Sequence, residues 1–182
     1  GLTGFTYNII IQDANGCQAT GSETVNSEDS PVITSINTTD PLCYGGGGSI
    51  IIITSGGTGV LQYSIDGGNN FGASASFTTP SGNYSIVVED ANGCQAFGNT
   101  VLTSPQIISF TTTTSGENCG AMDGAITING SGGTGALIYS IDGGTNFQSS
   151  GSFSGLSSGS YNIVVQDDNG CQIFGIENIS SI

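Results

Sequence analysis

The sequence predicts an all-β fold, built as tandem β-sandwich modules with a repeat of about 77 residues. Two observations carry this. The phrase YNIIIQDANGCQ at Tyr7 returns as YSIVVEDANGCQ at Tyr84 and as YNIVVQDDNGCQ at Tyr161, a constant step of 77 residues (84 − 7 and 161 − 84). A fixed period of this size marks an array of one domain type. The apolar residues also fall in short β-branched runs of period two, separated by Gly-, Asn- and Asp-rich turns, with no helical periodicity.

The register divides the chain. Residues 1–29 read as the C-terminal part of a truncated module, 30–103 as a complete module and 104–182 as a second complete one, with Ser30-Pro31 and Ser104-Pro105 at the boundaries. Gly1-Leu2 aligns with Gly155-Leu156, well inside a module, so the chain is expected to be a piece of a longer array.

The two complete copies justify each element in turn. VITSINT from Val32 and IISFTTTT from Ile107 read as first strands. A Gly-rich loop with a cysteine follows, then SIIIITS from Ser49 against AITINGS from Ala125. Ile50 and Ile52 match Ile126 and Ile128, which places them on the core face, while Ile51 and Ile53 match Thr127 and Asn129. The turn GGTG at Gly56 and Gly132 leads into LQYSID or LIYSID, closed by Asp-Gly-Gly, a hairpin-type signal. Phe71 and Phe77, matching Phe147 and Phe153, are expected in the core. In the repeated phrase Tyr84, Ile86 and Val88 share a face, as do Tyr161, Ile163 and Val165, and Tyr7, Ile9 and Ile11. D-x-N-G then turns the chain and a cysteine opens the last strand. Six or seven short strands per module indicate an immunoglobulin-like sandwich. The chain has no tryptophan, which separates it from antibody-type domains.

Charge excludes whole classes of partner. There are 14 acidic residues and no Lys, Arg or His. Every carboxylate must be solvated, bonded to N–H groups or bound to a cation, because none has a salt-bridge partner. A uniformly negative surface repels nucleic acid and anionic lipid. No run approaches the roughly 18 apolar residues that span a membrane.

Each complete module holds two cysteines, Cys43 with Cys94 and Cys119 with Cys171; Cys17 matches Cys94 and Cys171, and its partner is expected outside the chain. Without His or a CxxC pair, disulfides are favoured over zinc, and with them an extracellular, cell-surface location. Pairing within each module is the expectation, with pairing between adjacent modules as the alternative. Closing a loop of about 50 residues would contribute roughly 4 kcal/mol in the chain-entropy model.

The strings around these elements carry a family likeness. C-x-G-x-x-G-S-I from Cys43, then GGTG-x-x-x-YSIDGG-x-x-F, then G-x-Y-x-I-x-V-x-D-x-NGC, resemble the SprB repeat of giant cell-surface adhesins of gliding Bacteroidota. The likeness covers nearly the whole chain, although Cys119-Gly120-Ala121 departs from the first string. It implies a secreted adhesin exported by the type IX secretion system and moved by the gliding machinery at the outer membrane, with the repeats as its stalk.

Candidate sites are few. Asp90 and Asn92, Asp167 and Asn169, and the matching Asp13-Ala14-Asn15-Gly16 look like half of a calcium loop. The other reading is a hairpin turn in which Asp accepts from backbone N–H groups and Gly takes the left-handed position. No bidentate Glu follows at EF-hand spacing, which favours the turn and leaves no cofactor expected. Catalysis has no ordinary base for a Ser or Thr nucleophile. Glu89-Asp90 and Asp167-Asp168 are expected to point to opposite faces, the wrong geometry for a glycosidase pair. Four N-x-S/T sequons stand at Asn37, Asn83, Asn129 and Asn178. Tyr44 and Phe110 have no counterpart in the other copy and read as interface residues. The sequence therefore points to a stalk segment of a surface adhesin, with neighbouring modules as partners. Two alternatives are a self-assembling filament or surface-layer protein, and a polysaccharide-binding accessory module of a secreted enzyme.

Overall fold

The computed structural model describes residues 4–25 and 29–182. The Gly1-Leu2 alignment lies outside the described residues. Fourteen strands run in order: β1 Phe5–Gln12, β2 Gln18–Val25, β3 Val32–Thr39, β4 Gly48–Ser55, β5 Gln62–Ser64, β6 Ser76–Thr79, β7 Gly82–Glu89, β8 Gln95–Leu102, β9 Gln106–Ser115, β10 Gly124–Gly133, β11 Ile138–Ser140, β12 Ser152–Leu156, β13 Gly159–Gln166 and β14 Gln172–Ile179. No helix occurs among the described residues.

The strands form two sheets of three per complete module. The sheets have the orders β3-β4-β6 and β5-β7-β8, then β9-β10-β12 and β11-β13-β14. This is an immunoglobulin-like arrangement, in which the first, second and fourth of the module's six strands form one sheet and the third, fifth and sixth form the other. The remaining strands, β1 and β2, pair with each other alone among the described residues, from Phe5 opposite Val25 to Gln12 opposite Gln18. Ile9 and Ile11 are exposed there, although their counterparts Ile86, Val88, Ile163 and Val165 are buried, because no second sheet covers the hairpin.

Two compact units result, and they do not coincide with sequence blocks. Residues 4–25, 29–37, 50–77 and 83–100 belong to one; residues 38–49, 78–82 and 101–182 belong to the other. In the second unit Ile108, Ile126, Ile128, Ile163, Val165 and Ile179 form the core, with Phe110, Tyr139, Phe153 and Tyr161 packed against it. Burying each such aliphatic side chain contributes roughly 1.5–3 kcal/mol. In the first, Ile50, Ile52, Ile86 and Val88 are buried, as the period-two pattern requires.

Two expectations about aromatics need correction. Phe71 and Phe147 do not fill the inter-sheet core. Phe71 lies beside Gly68 near Val87, and Phe147 beside Gly144 near Val164, on the outer face of the sheet. That cover explains why β7 and β13 bury three consecutive residues rather than alternate ones. Phe110 packs into its own module and not at an interface: its ring fills the space a Cβ would take at Gly175. Tyr44 stays exposed.

Candidate functional site

The repeated D-x-N-G-C turn is built the same way three times. Asp13, Asp90 and Asp167 each accept on Oδ1 from the N–H two residues on, of Asn15, Asn92 and Asn169, at 2.9–3.0 Å. Each also accepts from the N–H of its cysteine, Cys17, Cys94 or Cys171, at 2.9 Å. Gly16, Gly93 and Gly170 take φ of 86°, 83° and 80°, the left-handed conformation that glycine adopts without strain.

In the complete modules the second carboxylate oxygen reaches across to the GGTG turn. Thr58 N–H donates to Asp90 Oδ2 and Thr134 N–H to Asp167 Oδ2, both at 2.9 Å. The turn answers in kind: Ala91 N–H donates to Thr58 O at 3.0 Å, and Asp168 N–H to Thr134 O at 3.1 Å. The two repeated motifs thus form one reciprocal latch. Asp90 and Asp167 are only 4% and 3% exposed, so these N–H groups replace water as partners of a buried charge. The Thr58 N–H, ahead of those of Cys94 and Asn92, holds the Asp90 carboxyl below the usual range against the opposing effect of burial.

This donor set does not fit calcium. Both carboxylate oxygens face N–H groups, while calcium needs six or more converging oxygens. Asn169 turns its amide outward and donates to Leu42 O at 3.2 Å. Among the described residues no group of three or more His, Cys, Asp or Glu is placed to hold a metal ion. The adjacent pair Asp167 and Asp168 lies beyond the end of β13, so both side chains reach the same turn: Asp168 Oδ2 accepts from Ala136 N–H at 3.1 Å.

The Asp-Gly-Gly turns are also self-contained. Asp66 accepts from Ser64 Oγ and from the N–H groups of Asn69 and Asn70; Asp142 does so from Ser140 Oγ, Thr145 N–H and Asn146 N–H. Hydrogen bonds led by Ser64 hold Asp66 down to about 2, and those led by the Asn146 N–H do the same for Asp142.

The cysteines pair differently from the expectation. Cys43 is bonded to Cys171, 128 residues apart in sequence and with Cα atoms 5.6 Å apart, within one compact unit. Cys94 and Cys119 are free, as is Cys17. The expected Cys43–Cys94 and Cys119–Cys171 bonds fail for a topological reason. In the second module Cys119 lies in the loop between β9 and β10, while Cys171 lies at the far end of β10, beside the GGTG turn that the latch ties to Asp167. Ten extended residues separate the two ends by roughly 30 Å, far beyond the ~7 Å that a disulfide spans between Cα atoms. Each module therefore carries a loop cysteine at one pole and a hairpin cysteine at the other. The bond joins the loop of the first complete copy to the hairpin of the second. Closing so long a loop places the stabilisation near the top of the ~2–5 kcal/mol range.

Around this junction the polypeptide closes a cleft of about 250 Å³, bordered by Tyr44, Pro105, Ile107 and Gln172 beside the two cysteines. Leu42 O accepts from Asn169 and lies 3.4 Å from the Cys171 sulfur. On the last strands Phe97 and Phe174 are 72% and 67% exposed at equivalent positions.

No family model and no curated protein matches the chain. Solved structures do. The N-terminal eight Ig domains of Down syndrome cell adhesion molecule align over 98% of this chain and 28% of that one, at 14% identity and a TM-score of 0.51. The insect immune protein hemolin covers 97% of the chain and 56% of its own, at 13% identity and a TM-score of 0.40; protocadherin gamma B3 covers 100% and 65%, at 10% and 0.43. The chain spans less than two thirds of each of these proteins. At such identities the likeness concerns the fold. Strand order and structural likeness together make this chain a tandem array of immunoglobulin-like β-sandwich modules.

Proposed function

We propose that the chain is a stalk segment of an extracellular adhesin. The observation that carries this reading is the covalent bond between successive copies of one sandwich, Cys43 to Cys171. A disulfide favours an oxidising compartment. Joined modules extend reach, which suits a tether more than a catalyst. One protein of similar fold is Down syndrome cell adhesion molecule. The resemblance of the GGTG and D-x-NGC strings to the SprB repeat narrows the reading to a gliding adhesin exported by type IX secretion, with the motility machinery of the outer membrane as partner. The test is antibody labelling of intact, unpermeabilised producing cells. Surface labelling, with attachment to glass lost when the antibody is added, is expected; labelling only after permeabilisation overturns the proposal.

A second reading has its own observation. Phe97 and Phe174 present a recurring exposed aromatic on each complete module, which suits stacking against sugar rings. A glycan array with the purified chain, repeated with Phe97→Ala and Phe174→Ala, decides between a passive stalk and a polysaccharide-binding one.

A further inference from the structure

The three free cysteines occupy positions that the existing bond explains. Cys119 stands in the loop between β9 and β10, where Cys43 stands between β3 and β4. Cys17 and Cys94 follow the D-x-N-G turn, where Cys171 does. No loop cysteine meets the hairpin cysteine of its own module, because the two lie at opposite poles. One neighbour of Cys43 has a counterpart at Cys119, although Cys119 takes a positive φ of 39° that Cys43 does not. Pro105 borders the cleft at the Cys43–Cys171 bond, and its counterpart Ile182 ends the chain with its carbonyl 3.5 Å from the Cys119 sulfur. A continuation past Ile182 would start beside that thiol, as β9 starts beside Cys43. The amide that seats the hairpin on the loop, Asn169 donating to Leu42 O, recurs as Asn15 and Asn92.

We infer that Cys43–Cys171 is one link of a repeating series, in which the loop cysteine of each module bonds the hairpin cysteine of the next. Cys119 is then a docking thiol for the hairpin of a further copy of this module, and Cys17 and Cys94 receive loop cysteines from preceding copies. Each link forms from two thiols with loss of two protons and two electrons. A disulfide oxidant such as oxidised glutathione accepts them and leaves as two reduced thiols. The inference rests on connectivity and pole geometry, and it stands whether or not the array serves adhesion.

The experiment extends the full chain by one copy of residues 106–182 placed after Ile182, equilibrates it in a glutathione redox buffer and maps the disulfides by peptide mass spectrometry. The expected result is Cys43 bonded to Cys171 and Cys119 bonded to the hairpin cysteine of the added copy. Cys119→Ser is expected to leave that added cysteine as a free thiol without disturbing Cys43–Cys171. The Cys43–Cys171 link reports on folding in the same sample. If it forms while Cys119 stays reduced, or while Cys119 bonds the added loop cysteine, Cys94 or Cys17, the series is overturned; absence of Cys43–Cys171 itself also overturns it.

Discussion

At the scale of single residues, the chain answers the lack of any basic side chain by giving its carboxylates N–H and hydroxyl partners. Asp66 and Asp142 show the effect most strongly, each held down to about 2 against an ordinary 3.8. The folded value is the lower one, so the contribution to stability is complete above about pH 4 and is lost as pH falls through about 2. The melting temperature is therefore expected to fall between pH 4 and pH 2. Thermal denaturation of Asp142→Asn should show a shallower fall over that window, and the double variant with Asp66→Asn a shallower one still. Equal steepness in variant and parent would contradict the role given to these turns.

At the scale of elements, the latch between the GGTG and D-x-NG turns is the feature that organises a module. Gly133 has φ of 69°, and a Cβ there would sit 2.9 Å from the Asp167 Cβ. Gly170 has φ of 80° with nothing nearer than 3.8 Å. Gly170→Ala should thus cost only the left-handed strain, about 1–2 kcal/mol, while Gly133→Ala adds a collision inside the latch. Urea denaturation that ranks Gly133→Ala as the more damaging supports the latch; the opposite ranking argues against it. The strands themselves were legible in the sequence, because Ile50 and Ile52 alternate with the exposed Ile51 and Ile53, and Ile126 and Ile128 repeat the pattern in the second copy. The latch was not, since Thr58 and Asp90 are 32 residues apart and neither motif names its partner; only the joint recurrence of both motifs hinted at it. The disulfide was misjudged because counting two cysteines per module ignores the pole at which each lies. The buried triplets Ile86-Val87-Val88 and Ile163-Val164-Val165 escaped the alternation rule because Phe71 and Phe147 fold back over the outer face.

At the scale of the whole molecule, 14 negative charges without a positive side chain make repulsion the dominant long-range term. Raising ionic strength from about 10 mM to 0.15 M shortens the screening length from about 30 Å to about 8 Å. The chain is expected to gain thermal stability across that range, as read by calorimetry in increasing NaCl; a falling melting temperature would contradict this. The bond between Cys43 and Cys171 has a mechanical corollary. Strands β4 to β13 lie inside the loop that it closes. A pull on the two chain ends bypasses them, and only residues 1–43 and 171–182 can pay out, 55 in all. At about 3.5 Å per residue the oxidised chain has a contour length near 190 Å, against about 640 Å when reduced. Optical-trap extension to no more than the shorter length, and release of the longer one by a reductant, is the expected record. A sandwich held in this way can lose its structure under load without lending slack to the line, so the distance between the chain ends is kept even when a module fails.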